Sequence, residues 1–282
     1  MPHQTVKQRR SPAGSASPRQ SRESRPTDSW LLGQLHASKQ NFPRIVRRAC
    51  ADPSLIPALL AGTASQDPRV KFGSAKALWL LGEADPALLY PHFDFFVKQL
   101  DSPNGVIRWN AARTLACLAP ADTESRIELL LDKYLSVIPG PRLIDAANVI
   151  GFAWKIARAQ PRLAERIAGA ILGVSRAQYQ TEECRNVSAG HALRSLGRFF
   201  DLIGDQAAVA AFARAQLRNT RPSTRRKAEE FLGKHPSRAE APAGTRGPAH
   251  GVGRLKPAID RRKRLSQNSG EPPPNVETPV GG

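Results

Sequence analysis

The chain has 282 residues and a formal net charge of +18, from 42 basic and 24 acidic side chains. An excess of this size suits a polyanionic partner, nucleic acid or an anionic membrane surface, unless it only reflects the frequent Arg, Ala and Pro of the composition. No charge-free apolar run approaches the roughly 18 residues of a membrane span, which excludes a spanning helix.

Residues 1–28 hold six basic and two acidic residues among Ser, Pro, Gln and Gly, with Val6 as the only large apolar residue. They lack the apolar core of a signal peptide and are expected to be a disordered basic tail. Leu31, Leu32 and Leu35 open an apolar face behind Asp28-Ser29, a helix-cap pattern, and Pro43 starts a short second helix. Helix pairs follow: 53–64 with 68–82, 86–100 with 103–119, 122–138 with 141–159, 161–174 with 181–200, and 205–217 with 222–232. Proline stands at or near many of these starts, where its missing N–H costs little. No stretch alternates like a strand. Residues 236–282, rich in Pro and Gly, are expected to be a second disordered tail, which carries the cationic block Arg261-Arg262-Lys263-Arg264. The array is therefore one domain, 29–235.

The pairs repeat. Asp67-Pro68-Arg69-Val70-Lys71 with Ala75 and Leu78 returns as Ser102-Pro103-Asn104-Gly105-Val106-Ile107-Arg108 with Ala112 and Leu115. Anchoring each second helix on Lys71, Arg108, Asp145, Arg185 and Arg225 gives steps of 37, 37, 40 and 40, a HEAT/armadillo period. Over roughly 53–233 the chain resembles the HEAT-repeat superfamily on these positions. It is also similar to a group of uncharacterised prokaryotic HEAT proteins, through Leu89-Tyr90-Pro91-His92-Phe93-Asp94-Phe95-Phe96 and Thr181-Glu182-Glu183-Cys184-Arg185-Asn186-Val187. The resemblance implies an all-α, HEAT/armadillo-like right-handed solenoid of about five helix pairs.

A helical wheel of about 100° per residue places Lys71, Arg108 and Arg185 in the first turn of an apolar stripe. They are read as a structural ladder between repeats, with ligand contact as the alternative. The opposite side carries Lys76, Arg113, Arg194 and Arg198, an interrupted basic stripe that would line the concave face. Trp79 and Trp109 fall on equivalent sides of it by angle, and would either stack on a ligand or fill the groove between helices. Helix 144–157 is apolar almost all round and is expected to be buried.

Catalytic and cofactor signatures are absent. There is no phosphate loop, no paired His for a metal, and no local nucleophile motif, so neither cofactor nor metal is expected. Cys50, Cys117 and Cys184 form no C-x-x-C pair and read as small buried residues of a reducing compartment. Trp109, Asp145 and Arg113 match the residue types of HEAT-like alkylpurine DNA glycosylases without matching a local motif. The expectation is a cytoplasmic, monomeric, non-enzymatic scaffold that binds a protein partner on its concave face. The alternatives are a nucleic-acid binder using the basic stripe and tails, and third such a glycosylase.

Overall fold

A computed structural model of the chain describes residues 26–236. The two expected tails lie almost wholly outside the described residues, as do the Arg9-Arg10 and Arg261–Arg264 blocks. The described part is an all-α repeat solenoid. Its helices are α1 (Pro26–His36), α2 (Phe42–Ala51), α3 (Ile56–Gly62), α4 (Pro68–Ala84), α5 (Pro86–Leu89), α6 (Phe93–Gln99), α7 (Gly105–Leu118), α8 (Arg126–Leu135), α9 (Leu143–Ala159), α10 (Ala164–Leu172), α11 (Glu182–Leu196), α12 (Gln206–Ala215) and α13 (Pro222–Lys234).

The second helices of the five pairs, α4, α7, α9, α11 and α13, pack each on the next and form an inner layer. The first helices, α3, α6, α8, α10 and α12, form the other layer, and α1 and α2 cover α4. One hydrophobic core runs from Leu31 to Phe231 between the layers. Two contacts reveal the curvature. The Trp79 and Phe152 rings meet edge to face with centroids 5.7 Å apart, and Lys155 pairs with Glu83 at 2.9 Å. Both join α4 to α9 across the top of α7, which is possible only where the stack curves inward. The inner layer is therefore concave. On the outer layer, ion pairs link neighbouring repeats only: Asp94–Arg126, Glu128–Arg162 and Asp132–Arg166.

Local chemistry sets the helix starts. The Asp67 carboxylate accepts from the Arg69 and Val70 N–H groups, Asn104 caps α7 through Val106 and Ile107, and Thr181 caps α11 through Cys184. The inner helices begin after residues 67, 104, 142, 181 and 221, so the repeat lengthens through 37, 38, 39 and 40 residues. The expected steps differ because Asp145 stands one residue ahead of the register that Lys71 and Arg108 share.

Several expectations need correction. Helix α1 starts at Pro26, ahead of the expected cap at Asp28. The expected helix 86–100 is broken by a 3₁₀ turn at Tyr90–His92, where Pro91 removes a donor. Helix α8 starts only at Arg126, because the Asp122 carboxylate accepts from the Arg126 and Ile127 N–H groups. The same carboxylate accepts from Tyr90 Oη at 2.7 Å and Gln160 Nε2 at 2.8 Å, tying three repeats at one edge. Helix α9 is not buried all round: Ile144 is 52% exposed, and Phe152 and Trp154 are half-buried. Only Cys117 of the three cysteines is buried, its thiol pushed up to about 12 chiefly by burial, while Cys50 is exposed.

The two isoleucines of α9 should report this one-sidedness. Ile150, 0% exposed, is expected to cost about 2–5 kcal/mol on Ile150→Ala. Ile144→Ala should stay within about 0.5 kcal/mol. Urea denaturation of both variants checks this, and equal losses would contradict the packing of α9.

Candidate functional site

The inner layer is built on a register counted from the residue that precedes each helix. Nine residues on stand Lys76, Arg113, Gly151 and Gly190; twelve on stand Trp79, Ala116 and Trp154. The first two repeats therefore put a cation on the concave surface where the next two put a glycine. A Cβ added at Gly151 would meet nothing within 4 Å, so the surface there is open.

The cations of the first half are laid on aromatic rings. Lys76 Nζ sits 4.3 Å from the Phe42 ring centroid. The Arg113 guanidinium lies between Trp79 at 4.8 Å and Phe152 at 5.4 Å, and its Nε donates to Asn148 Oδ1 at 2.8 Å. Arg113 is half-buried, and that burial lowers its pKa from the ordinary arginine value. In the second half Arg198 lies over Trp154 at 4.6 Å, with Lys155 on the same ring at 5.0 Å. The result is a row of rings and cations, Phe42–Lys76, Trp79–Arg113–Phe152 and Trp154–Arg198, crossing the concave face. Such contacts hold long cationic side chains in place at about 0.5–2 kcal/mol each.

Trp109 does not join this row. Its indole Nε1 donates to Asp145 Oδ1 at 2.5 Å, beside the start of α9. The wheel angle equated Trp79 with Trp109, but Trp109 stands five residues after its cap and Trp79 twelve, about 10 Å apart along the axis. The true counterpart of Trp79 is Trp154.

Of the three residues expected to form a ladder, one spans two repeats. Arg108 donates Nη1 to the Ser102 and Pro103 carbonyls at 2.7 and 3.1 Å, and pairs with Asp145 of the next repeat at 3.1 Å. Asp145 is 6% exposed and also receives Arg142 Nε at 2.6 Å and the Trp109 indole, so its carboxylate is saturated with donors. The Lys71 ammonium and the exposed Arg185 guanidinium have no such partner among the described residues, a correction to the ladder. The cause is the register: three residues past its cap α9 carries Asp145, which Arg108 reaches, whereas α7 carries Ile107 there and offers Lys71 no acid. At α11 the link is made by Asn186, which donates to Thr220 Oγ1 at 2.8 Å and accepts from Asn219 at 3.0 Å. Arg225 repeats the local half of Arg108's geometry, donating to the Asn219 and Thr220 carbonyls.

The second half of the concave face ends in a cleft of about 350 Å³ between α11 and α13, lined by Arg194, Arg198, Lys227, Lys234 and Glu230 over Phe231. Lys227 and Lys234 were not among the sequence candidates. A wheel continued from Arg225 places them near 200° and 180°, the sector of Arg194 and Arg198, so the signal was present one repeat further on. A second cleft, of about 250 Å³, lies over Trp109, Arg108 and Asp145 between the second and third pairs. Trp109, Asp145 and Arg113 do not face a common space: the first two meet at this cleft and Arg113 is enclosed elsewhere. Among the described residues no group of three or more His, Cys, Asp and Glu could hold a metal, and no helix is long and apolar enough to cross a membrane.

No family model and no curated protein matches the chain. Among solved structures, an engineered protein aligns at 17% identity and a TM-score of 0.47, over 76% of this chain and 92% of its own. A designed armadillo repeat protein aligns at 14% identity and a TM-score of 0.48, over 72% and 98%.

Asp145 and Asp132 make a matched test of the ion pairs. Asp145→Ala leaves Arg108 nearly buried without its carboxylate and is expected to cost about 3–5 kcal/mol. Asp132→Ala removes an exposed pair with Arg166 and should cost under about 1 kcal/mol. Thermal or urea unfolding distinguishes them, and a small loss at Asp145 would show that the buried tie contributes little.

Proposed function

We propose that the chain is a non-enzymatic helical-repeat scaffold that mediates protein–protein interaction through its concave face, as a cytoplasmic monomer. The observation that carries this reading is the row on that face of half-buried Trp79, Arg113, Phe152 and Trp154, with the exposed Arg198 laid over Trp154. Trp and Arg are the residue types that dominate protein–protein hot spots, and side chains already held in place lose little freedom on binding. A HEAT-type ancestry, shared with the uncharacterised prokaryotic HEAT proteins, belongs to the same proposal and rests on the repeated Val70/Lys71/Ala75/Leu78 and Ile107/Arg108/Ala112/Leu115 pattern.

The nucleic-acid alternative needs a continuous basic track along Lys76, Arg113, Arg194 and Arg198. Arg113 is committed to Asn148 and two ring faces, and the rings that would stack on bases already carry cations. Both features favour the protein partner. The glycosylase alternative needs a carboxylate with an accessible lone pair, and Asp145 is engaged by Arg108, Arg142 and Trp109.

Photo-crosslinking in the source cells tests the reading. A crosslinking phenylalanine analogue in place of Gly151 points from the open concave face, and one in place of Leu129, 86% exposed on α8, points from the outer layer. A nuclease-resistant protein adduct from position 151 and none from 129 is expected. Adducts only from 129 would overturn the concave assignment, and a nuclease-sensitive adduct from 151 would replace the protein partner with nucleic acid.

A further inference from the structure

Most cations of the described residues are spent on partners. Arg108, Arg126, Lys133, Lys155, Arg158, Arg162, Arg166 and Arg221 each meet a carboxylate. The cleft between α11 and α13 is different. Arg194, Lys227 and Lys234 line it with Arg198, and among the described residues the first three side chains have neither an ion pair nor a hydrogen bond. The one carboxylate in the lining, Glu230, lies 3.9 Å from Arg226 instead.

The cations are brought together by the backbone as well as by composition. Gly190 stands where the first repeats carry Lys76 and Arg113. A Cβ there would come within 3.0 Å of Lys227 Nζ and 2.9 Å of Thr224 Oγ1. The missing side chain lets Lys227 of α13 lie across α11, beside Arg194. The crowding is felt electrostatically. Burial, then Arg194, Arg221 and Arg226, holds the Lys227 ammonium below the ordinary lysine value against the smaller opposing pull of Glu230. Burial, then Lys227, Arg194 and Arg221, lowers the His191 imidazole in the same way. Like charges gathered in excess of their counter-charges raise the energy of the unliganded face, and an anion that enters the cleft relieves it.

Resting on the scaffold reading above, we propose that this cleft binds an acidic segment of the partner protein, its carboxylates taken by Arg194, Lys227 and Lys234 with Arg198 at the rim. Extent favours a peptide over a nucleic-acid strand. Toward α9 the next cations are Arg158, paired with Asp201, Lys155, paired with Glu83, and the enclosed Arg113. Among the described residues the run of unpaired cations in this cleft therefore covers α11 and α13 and does not continue onto α9. A cleft of about 350 Å³ takes a few residues of an extended chain, with Phe231 as its apolar floor. A strand bound through its phosphates would need the positive track to continue.

The test uses the full chain and a fluorescein-labelled peptide of six consecutive glutamates, followed by anisotropy. Binding that weakens as salt is raised is expected, with Arg194→Glu/Lys227→Glu losing at least about tenfold in affinity. The uncharged pair Arg194→Met/Lys227→Met should lose affinity in the same direction while unfolding at the parent temperature, which separates binding from folding. Lys98→Glu/Arg185→Glu makes the same change in net charge at exposed positions away from the cleft and should cost under about twofold. Equal losses in the two charge-reversed proteins would overturn the cleft, since net charge alone would then explain binding. Displacement of the peptide by an oligothymidylate of equal charge at lower concentration would overturn it in favour of nucleic acid. No peptide binding, while the crosslink from position 151 persists, would overturn the cleft and leave the scaffold reading standing.

Discussion

The stack depends on a buried carboxylate that belongs to one repeat and is satisfied by another. Asp145 stands in the first turn of α9, almost without exposure, where an unpaired charge would cost several kcal/mol. Arg108 and Trp109 of α7 approach it from the second pair, and Arg142 from its own. Arg108 also collects the Ser102 and Pro103 carbonyls of the loop before α7. One carboxylate thereby holds a loop, two helix starts and the step between two repeats in a single register. Asp122 does the same at the opposite edge, joining Tyr90, Gln160 and the first turn of α8. Burial works against its ionisation, yet these hydrogen bonds keep its pKa below the ordinary carboxylate value. Apolar packing between helices tolerates sliding, whereas a charge-assisted knot with several donors is directional. The two knots near the middle of the array fix the relation of the second and third pairs.

That fixed relation gives the concave face its character. Once α4, α7 and α9 are locked in order and curved inward, side chains two helices apart can touch. Trp79 then reaches Phe152 and Glu83 reaches Lys155. The cations caught between them are neutralised or laid on rings. Further along, no carboxylate bridges α9 to α13 among the described residues. The cations of α11 and α13 therefore accumulate, and the basic surplus of the chain becomes local rather than diffuse.

Much of the fold was legible in the sequence because it rests on short-range chemistry. Apolar spacing and proline at helix starts act within a few residues, and they marked every pair of the array. What failed was three-dimensional. The wheel knew the angle of Trp109 but not its height on the helix, so it placed beside Trp79 a residue that belongs to the Asp145 knot. Lys71 and Arg185 share Arg108's first-turn position, yet a rung needs an acid one repeat on, and only Arg108 has one. The apolar count of α9 suggested full burial, because Ile144, Phe152 and Trp154 read as core although the first is exposed and the other two are only half-buried. The candidate cations were found in part: Arg194 and Arg198 line the cleft, while Lys227 and Lys234 emerge only when the register is carried into the last helix.

The position nine residues beyond each inner-helix cap explains how one repeat can yield two surfaces. Lys76 and Arg113 fill it in the first two repeats and cover the aromatic rings next to them. Gly151 and Gly190 leave it vacant in the next two. At Gly190 the vacancy is taken by Lys227 from the following helix, whose charge meets neither a ring nor an ion-pairing carboxylate among the described residues. A repeat protein can therefore move a cation from a packed role to an unpaired one through the side chain of a neighbouring helix, leaving the stack itself unchanged. The same architecture carries cations laid on rings at one end and, among the described residues, a surplus of unpaired positive charge at the other.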